Sequence, residues 1–417
     1  MSAGSTTGDG TVAVGSSALA ALTTGAGNLA IGYQAGALLT TGGNNTVIGH
    51  GAFDESVVGS LNNTAIGQDA MAGTHTGSAS NNNVAIGRQA MGTGALDAAG
   101  GNTAVGYQAA KSLTTGDSNT AIGSDAGCAI TTASNNIFVG ASTGELITTG
   151  GDHVLLGKSA GATIAAGQIT TNGTVAIGTS ALTALTSGAG NVAIGYQALL
   201  EHTTGSRNIA IGYGAMDHTA GDSTKAPNSS DNIFMGYDAG GGDWAADQTN
   251  GRNIGIGSYV MDADMNDANK NIGIGYNALT DLTEGDSNVC IGGSTGANIT
   301  TGSNNIIFGP LAGDLMTTTS NTVLIGNSAG TAMSAGSTTG DGTVAVGSSA
   351  LAALTTGAGN TAIGYKAGLA LTTGANNTVF GYQAFDAANT GEAYNIAIGP
   401  NSMGAMDEGN QTVSGNI

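Results

Sequence analysis

The chain is poor in positive charge: 8 Lys and Arg stand against 28 Asp and Glu among 417 residues, a formal charge of −20. Such a chain repels phosphate backbones and anionic headgroups, so nucleic acid and membrane surfaces are not expected as partners. Proline is scarce, with 3 residues, and the 74 glycines follow no every-third spacing, which excludes collagen. Two cysteines, Cys128 and Cys290, are too few for a disulfide framework and stand in no zinc-type spacing. No apolar run approaches the roughly 18 residues of a membrane helix, so membrane insertion is not expected. The opening MSAGSTTGDG carries neither the basic nor the apolar segment of a signal peptide. Aromatics make up 4% and charged residues 9%, but 40% of the chain is hydrophobic, enough to fold.

What the chain has in abundance is repetition. An anchor of the form Asn-x-(small or apolar)-(apolar)-Gly-x-x-Ala runs from NLAIGYQA (28–35) to NTAIGYKA (360–367), with 22 anchor glycines from Gly15 to Gly399, most often 17 residues apart. A longer period lies above it. Gly15 and Gly178 each open a set of nine rungs and Gly347 opens an incomplete third, which divides one continuous array of residues 1–417 into super-repeats of about 1–165, 166–334 and a partial 335–417. Residues 1–28 recur identically at 333–360, and the final QTVSGNI stops mid-pattern. This reads either as a window on a longer array or as an ordinary start.

The residue before each anchor Gly is apolar in all 22 rungs, and the one before that is Ala, Gly, Cys or a larger apolar residue. Neighbouring strand residues point to opposite faces, so this segment reads as a short strand covered on both sides. Four residues before the anchor, Asn fills 17 of 22 rungs, the exceptions being Thr and His153. Rungs stacked about 4.8 Å apart would align these amides into a ladder bonded to one another and to turn backbone. LTTG segments such as Leu39–Gly42 and Leu113–Gly116 read as a second short strand and a turn. Gly density leaves no room for a helix. The expected fold is an all-β parallel β-solenoid, a β-roll of about 22 rungs with a 17-residue period. Because a narrow coil covers only one face of its strand, side-by-side association is expected, most simply a homotrimer about a common axis or a filament, with a fatter single-chain solenoid as the alternative.

The segments NNTAIGQDA (62–70), GNTAIGYKAGLALTTGANNTVFG (359–381) and SNNIFVG (134–140) resemble the repeats of phage tail-fibre-like proteins and, more loosely, the head repeats of trimeric autotransporter adhesins. The rungs here are longer than in the adhesin heads. The resemblance implies a trimeric structural fibre at a virion surface or outside a cell.

Chemistry is sparse. GDHVLLGKS (151–159) has five residues between glycines where a phosphate-binding loop needs four. NIGIG at 253–257 is the anchor with Gly in place of Ala, not a dinucleotide fingerprint. The five histidines fall at unrelated rung positions with no recurring Ser or Asp partner, and Asp54, Asp217 and Asp386 are whole super-repeats apart. No enzyme is expected, and no cofactor. DADMNDANK (262–270) alternates oxygen ligands without the Gly and Glu of a calcium loop, which leaves Asp262, Asp264 and Asn266 as a weak candidate for a structural Ca2+.

Eight of ten Tyr follow an anchor Gly directly, with Tyr196, Tyr213 and Tyr237 on consecutive rungs. Such a column suits lateral packing or, as the alternative, a cell-surface glycan. The widest excursions, 217–231 and 238–251, hold the single Trp244, which makes that residue a candidate recognition patch. Thr pairs such as Thr40-Thr41 suggest an ice-binding array, but adjacent Thr point to opposite faces, so this is the weaker reading.

Overall fold

The computed structural model describes residues 10–55, 59–74, 78–164, 172–219, 229–244, 250–333, 340–387 and 391–404. Among these residues lie 22 strands of three residues, each ending just before an anchor glycine, and no α-helix. Contacts divide the chain into two units, Met1–Thr204 and Gly205–Ile417. The first holds β1 (Val12–Val14) through β11 (Val192–Ile194), the second β12 (Ile209–Ile211) through β22 (Ile396–Ile398). Within each unit, successive strands pair in parallel and in register, as in Leu29↔Thr46 and Ile272↔Val289. A parallel strand at each turn of a chain that repeats about every 17 residues is a parallel β-solenoid.

The anchor glycine is set by how closely the turns approach. Gly32 has φ +138°, and a Cβ on it would lie 2.3 Å from the Gly49 carbonyl oxygen of the next turn. No larger residue fits there. The middle residue of each strand, Ala30, Phe138 or Cys290 for example, is fully buried in every strand but β1. Its neighbours on either side are half-buried or exposed, as in the intermediate–buried–exposed pattern of Leu29–Ile31. Within the chain, therefore, only one face of each strand is covered. The interior of a turn closes over the middle side chain, and the flanking two point outward.

The LTTG segments are not strands, contrary to the sequence expectation. Leu39 and Leu113 are fully buried, but the backbone after them turns too soon for a ladder. In several pairs the first Thr stitches the turns instead: Thr114 Oγ1 donates to the Thr131 carbonyl at 2.9 Å and Thr131 Oγ1 to the Thr148 carbonyl at 3.0 Å. These hydroxyls are used by the fold, which removes one half of the Thr array on which ice binding would depend.

The asparagine ladder forms as expected. Asn45 donates both its backbone N–H and its Nδ2 to Asn28 Oδ1, each at 3.0 Å, and Nδ2 also reaches the Ser60 carbonyl at 2.9 Å. One side chain thereby satisfies buried groups of three chain segments.

Candidate functional site

The most chemically distinctive surface lies in the second unit, on four consecutive turns anchored at Gly212, Gly236, Gly257 and Gly275. Tyr213, Tyr237 and Tyr276 follow their anchors and are about half exposed. The Tyr213 and Tyr237 rings stack at 5.4 Å with planes 13° apart. Tyr259 then takes up the row, edge-on to Tyr237 at 5.3 Å and to Tyr276 at 6.1 Å. Sequence reasoning missed Tyr259, because it stands two residues after its anchor rather than one. In the first unit Tyr196 is likewise exposed.

Beside this row three carboxylates come together. A Cβ on Gly241 would lie 2.9 Å from Asp262 Oδ1, 3.0 Å from Asp238 Oδ1 and 3.5 Å from Asp217 Oδ1. Asp217 and Asp262 stand five residues after their anchors, Asp238 two, and Gly241 leaves the space into which all three turn. Burial pushes the Asp217 carboxyl up to about 6, with Asp238 adding to the rise and His218 opposing it. Burial also takes Asp262 to about 6, helped by Asp238 and Asp217. His218 Nε2 sits 3.7 Å from Asp217 Oδ2 and its Nδ1 3.4 Å from Asp243 Oδ1. The first unit repeats a smaller form, in which a Cβ on Gly51 would meet Asp69 at 2.9 Å and Asp54 at 3.4 Å. Carboxylates are thus stacked on neighbouring turns, which comparing only like positions of the super-repeat had hidden.

The suggested cation ligands are turned to different partners. Asp262 faces Gly241, Asp264 Oδ1 accepts the Asp243 N–H at 2.9 Å, and Asn266 Nδ2 lies 3.4 Å from Glu284 Oε1. Asn266 lines an open recess of about 290 Å³ with Asp267, Glu284 and Asp286. Among the described residues no group of three or more His, Cys, Asp or Glu is arranged to hold a metal ion.

Trp244 requires a correction. It is fully buried, edge-on to Phe234 at 5.7 Å, so its indole is core and not a recognition surface. The pair also explains the NIGIG variant at 253–257. A Cβ on Gly255 would lie 2.4 Å from the Phe234 ring, so the turn after the Phe–Trp pair has room only for glycine. The rest of the long excursions, 220–228 and 245–249, lies outside the described residues, as does His75. Both cysteines are free.

Fold and surface define the class: a parallel β-solenoid repeat protein of strongly acidic composition. Comparison with protein-family models and with characterised proteins yields no match to this chain.

Proposed function

We propose that the chain is a structural protein, the shaft of a fibre or filament at a virion or cell surface, built by side-by-side association of copies along the outward face of its strands. The observation that carries this reading is a charge-free apolar stripe. The third residue of all 22 strands is apolar, and the first is apolar in 16 and Thr in 6. Yet Ile31, Ile86, Ile122, Ile137, Ile306 and Phe380 of these rows remain more than a third exposed. None of the 28 acidic residues falls in either row or directly after an anchor Gly.

A contiguous apolar surface of this kind marks an interaction site. With on the order of 50 Å² exposed on each outward side chain, the eleven turns of one unit offer on the order of 1,000 Å², above the about 800 Å² that a partner gives to a standard interface. A surface that repeats every turn is matched best by another with the same repeat, which favours a second and third copy in a homotrimer. Sedimentation of the full chain with Ile86→Glu and Ile122→Glu tests this. Assembled wild type and a folded, monomeric double variant support the proposal, and a monomeric wild type at micromolar concentration overturns it.

A second reading, an adhesive shaft that binds glycan, has the exposed row from Tyr213 to Tyr276 in its favour. Glycan-array binding that is lost in Tyr237→Ala while the assembly persists would support it. The near-parallel Tyr213 and Tyr237 rings turn their faces toward each other, which suits packing better than sugar stacking.

A further inference from the structure

His153 is the sole histidine in the asparagine ladder, and it stands at the end of the first nine-turn set. Its backbone follows the pattern: its N–H donates to Asn136 Oδ1 at 3.1 Å, and its carbonyl accepts the Ile137 N–H at 2.9 Å. Its ring does not. The imidazole is fully buried, and among the described residues neither ring nitrogen has a hydrogen-bond partner. The amide relay that passes through Asn119 and Asn136 therefore stops at this side chain. The next turn has Thr174 at the same position, and its carbonyl accepts the Val154 N–H at 2.9 Å.

The second nine-turn junction repeats the interruption without an ionisable group. Thr322 Oγ1 donates to Asn305 Oδ1 at 2.7 Å, Thr343 follows, and the Thr343 hydroxyl is buried without a partner. At each super-repeat boundary one buried ladder side chain, the His153 ring at the first and the Thr343 hydroxyl at the second, thus stands outside the relay among the described residues.

We propose that His153 makes the first of these junctions an acid-sensitive joint, at which the pairing of β9 (Val154–Leu156) with β10 (Val175–Ile177) loosens when the imidazole takes up a proton. A charged ring buried at this site finds no acceptor among the described residues, and opening the junction exposes it to solvent. Asp152, on the same turn, is the charged group acting on the ring and favours protonation, while the stacked residues Asn136 and Thr174 carry no charge. Burial outweighs Asp152 and holds the imidazole down at about 4. The folded junction thus excludes a proton that an opened one accepts, and its stability falls as pH drops from about 6.5 toward 4.

Hydrogen exchange of the full chain between pH 7 and 4, corrected for intrinsic rates, tests this against an internal reference. The reference is the pairing of β18 (Val323–Ile325) with β19 (Val344–Val346) at the second junction. Protection at β9 and β10 should fall relative to β18 and β19 by on the order of a hundredfold. His153→Asn, which restores the relay, and His153→Thr, which keeps the interruption without the charge, should both abolish the difference. Wild-type junctions that respond alike, or a His153→Thr chain that loosens as much as wild type, would overturn the proposal.

Discussion

The side chain of Asn63 donates from Nδ2 to Oδ1 of Asn45 at 3.1 Å, and the same oxygen takes the Asn63 backbone N–H at 2.9 Å. Nδ2 reaches on to the Ser80 carbonyl at 2.8 Å, and Asn63 Oδ1 accepts the Asn83 N–H at 3.0 Å. Replacing this amide leaves several buried groups without partners at once. Asn63→Leu is therefore expected to destabilise the first unit by about 3 kcal/mol, near the upper end for one orphaned buried group. Thr64→Val, on the outward face next to it, should change stability by less than about 0.5 kcal/mol. Urea unfolding of the two variants beside wild type measures the contrast.

Trp244 fills the interior against Phe234, so its role is in packing. Trp244→Ala should cost about 3–5 kcal/mol through the cavity it leaves. Trp244→Phe should cost less, because the indole Nε1 is buried without a partner and its loss strands nothing. Gly255→Ala should also destabilise, by about 1–3 kcal/mol, since the added methyl runs into the Phe234 ring. Denaturation midpoints that rank Trp244→Ala as harmless would refute the core assignment.

The carboxylates around Gly241 give the second unit a pH response opposite in sign to that of His153. Asp217 and Asp262 hold protons up to about 6 in the folded chain, well above the usual carboxylate range. The folded state therefore binds protons that the unfolded chain has already released. Its penalty is fully present above pH 6 and relieved as pH falls through 6 toward 4. Asp217→Asn is expected to stabilise the unit at pH 7 by about 1–2 kcal/mol, after discounting for partial exposure, and to have little effect near pH 4. Adding Asp262→Asn should yield less than the sum of the two single changes, because the Asp217 carboxylate contributes to the rise at Asp262. Stability curves at pH 7, 5.5 and 4 read both effects.

Much of this architecture is legible from residue positions because a solenoid turns sequence period directly into stacking. The anchor glycines, the small middle residue of each strand and the Asn ladder recur at one place in the rung, and in the fold each meets its own kind on the next turn. For Leu39 and its equivalents the sequence pattern reports burial but not backbone extension. A buried leucine within a turn and one within a strand have the same pattern over so short a stretch.

The period alone determined the fold class, the parallel register and the ladder, since like positions repeated 22 times must stack on like. The tertiary structure alone decided which strand residues face inward, that Trp244 is core, that Tyr259 joins its neighbours, and that Asp217, Asp238 and Asp262 share one space. Those contacts join unlike positions on adjacent turns. How far such a side chain reaches across depends on the local path of each turn and on the volume its neighbours leave, as Gly241 and Gly255 do here.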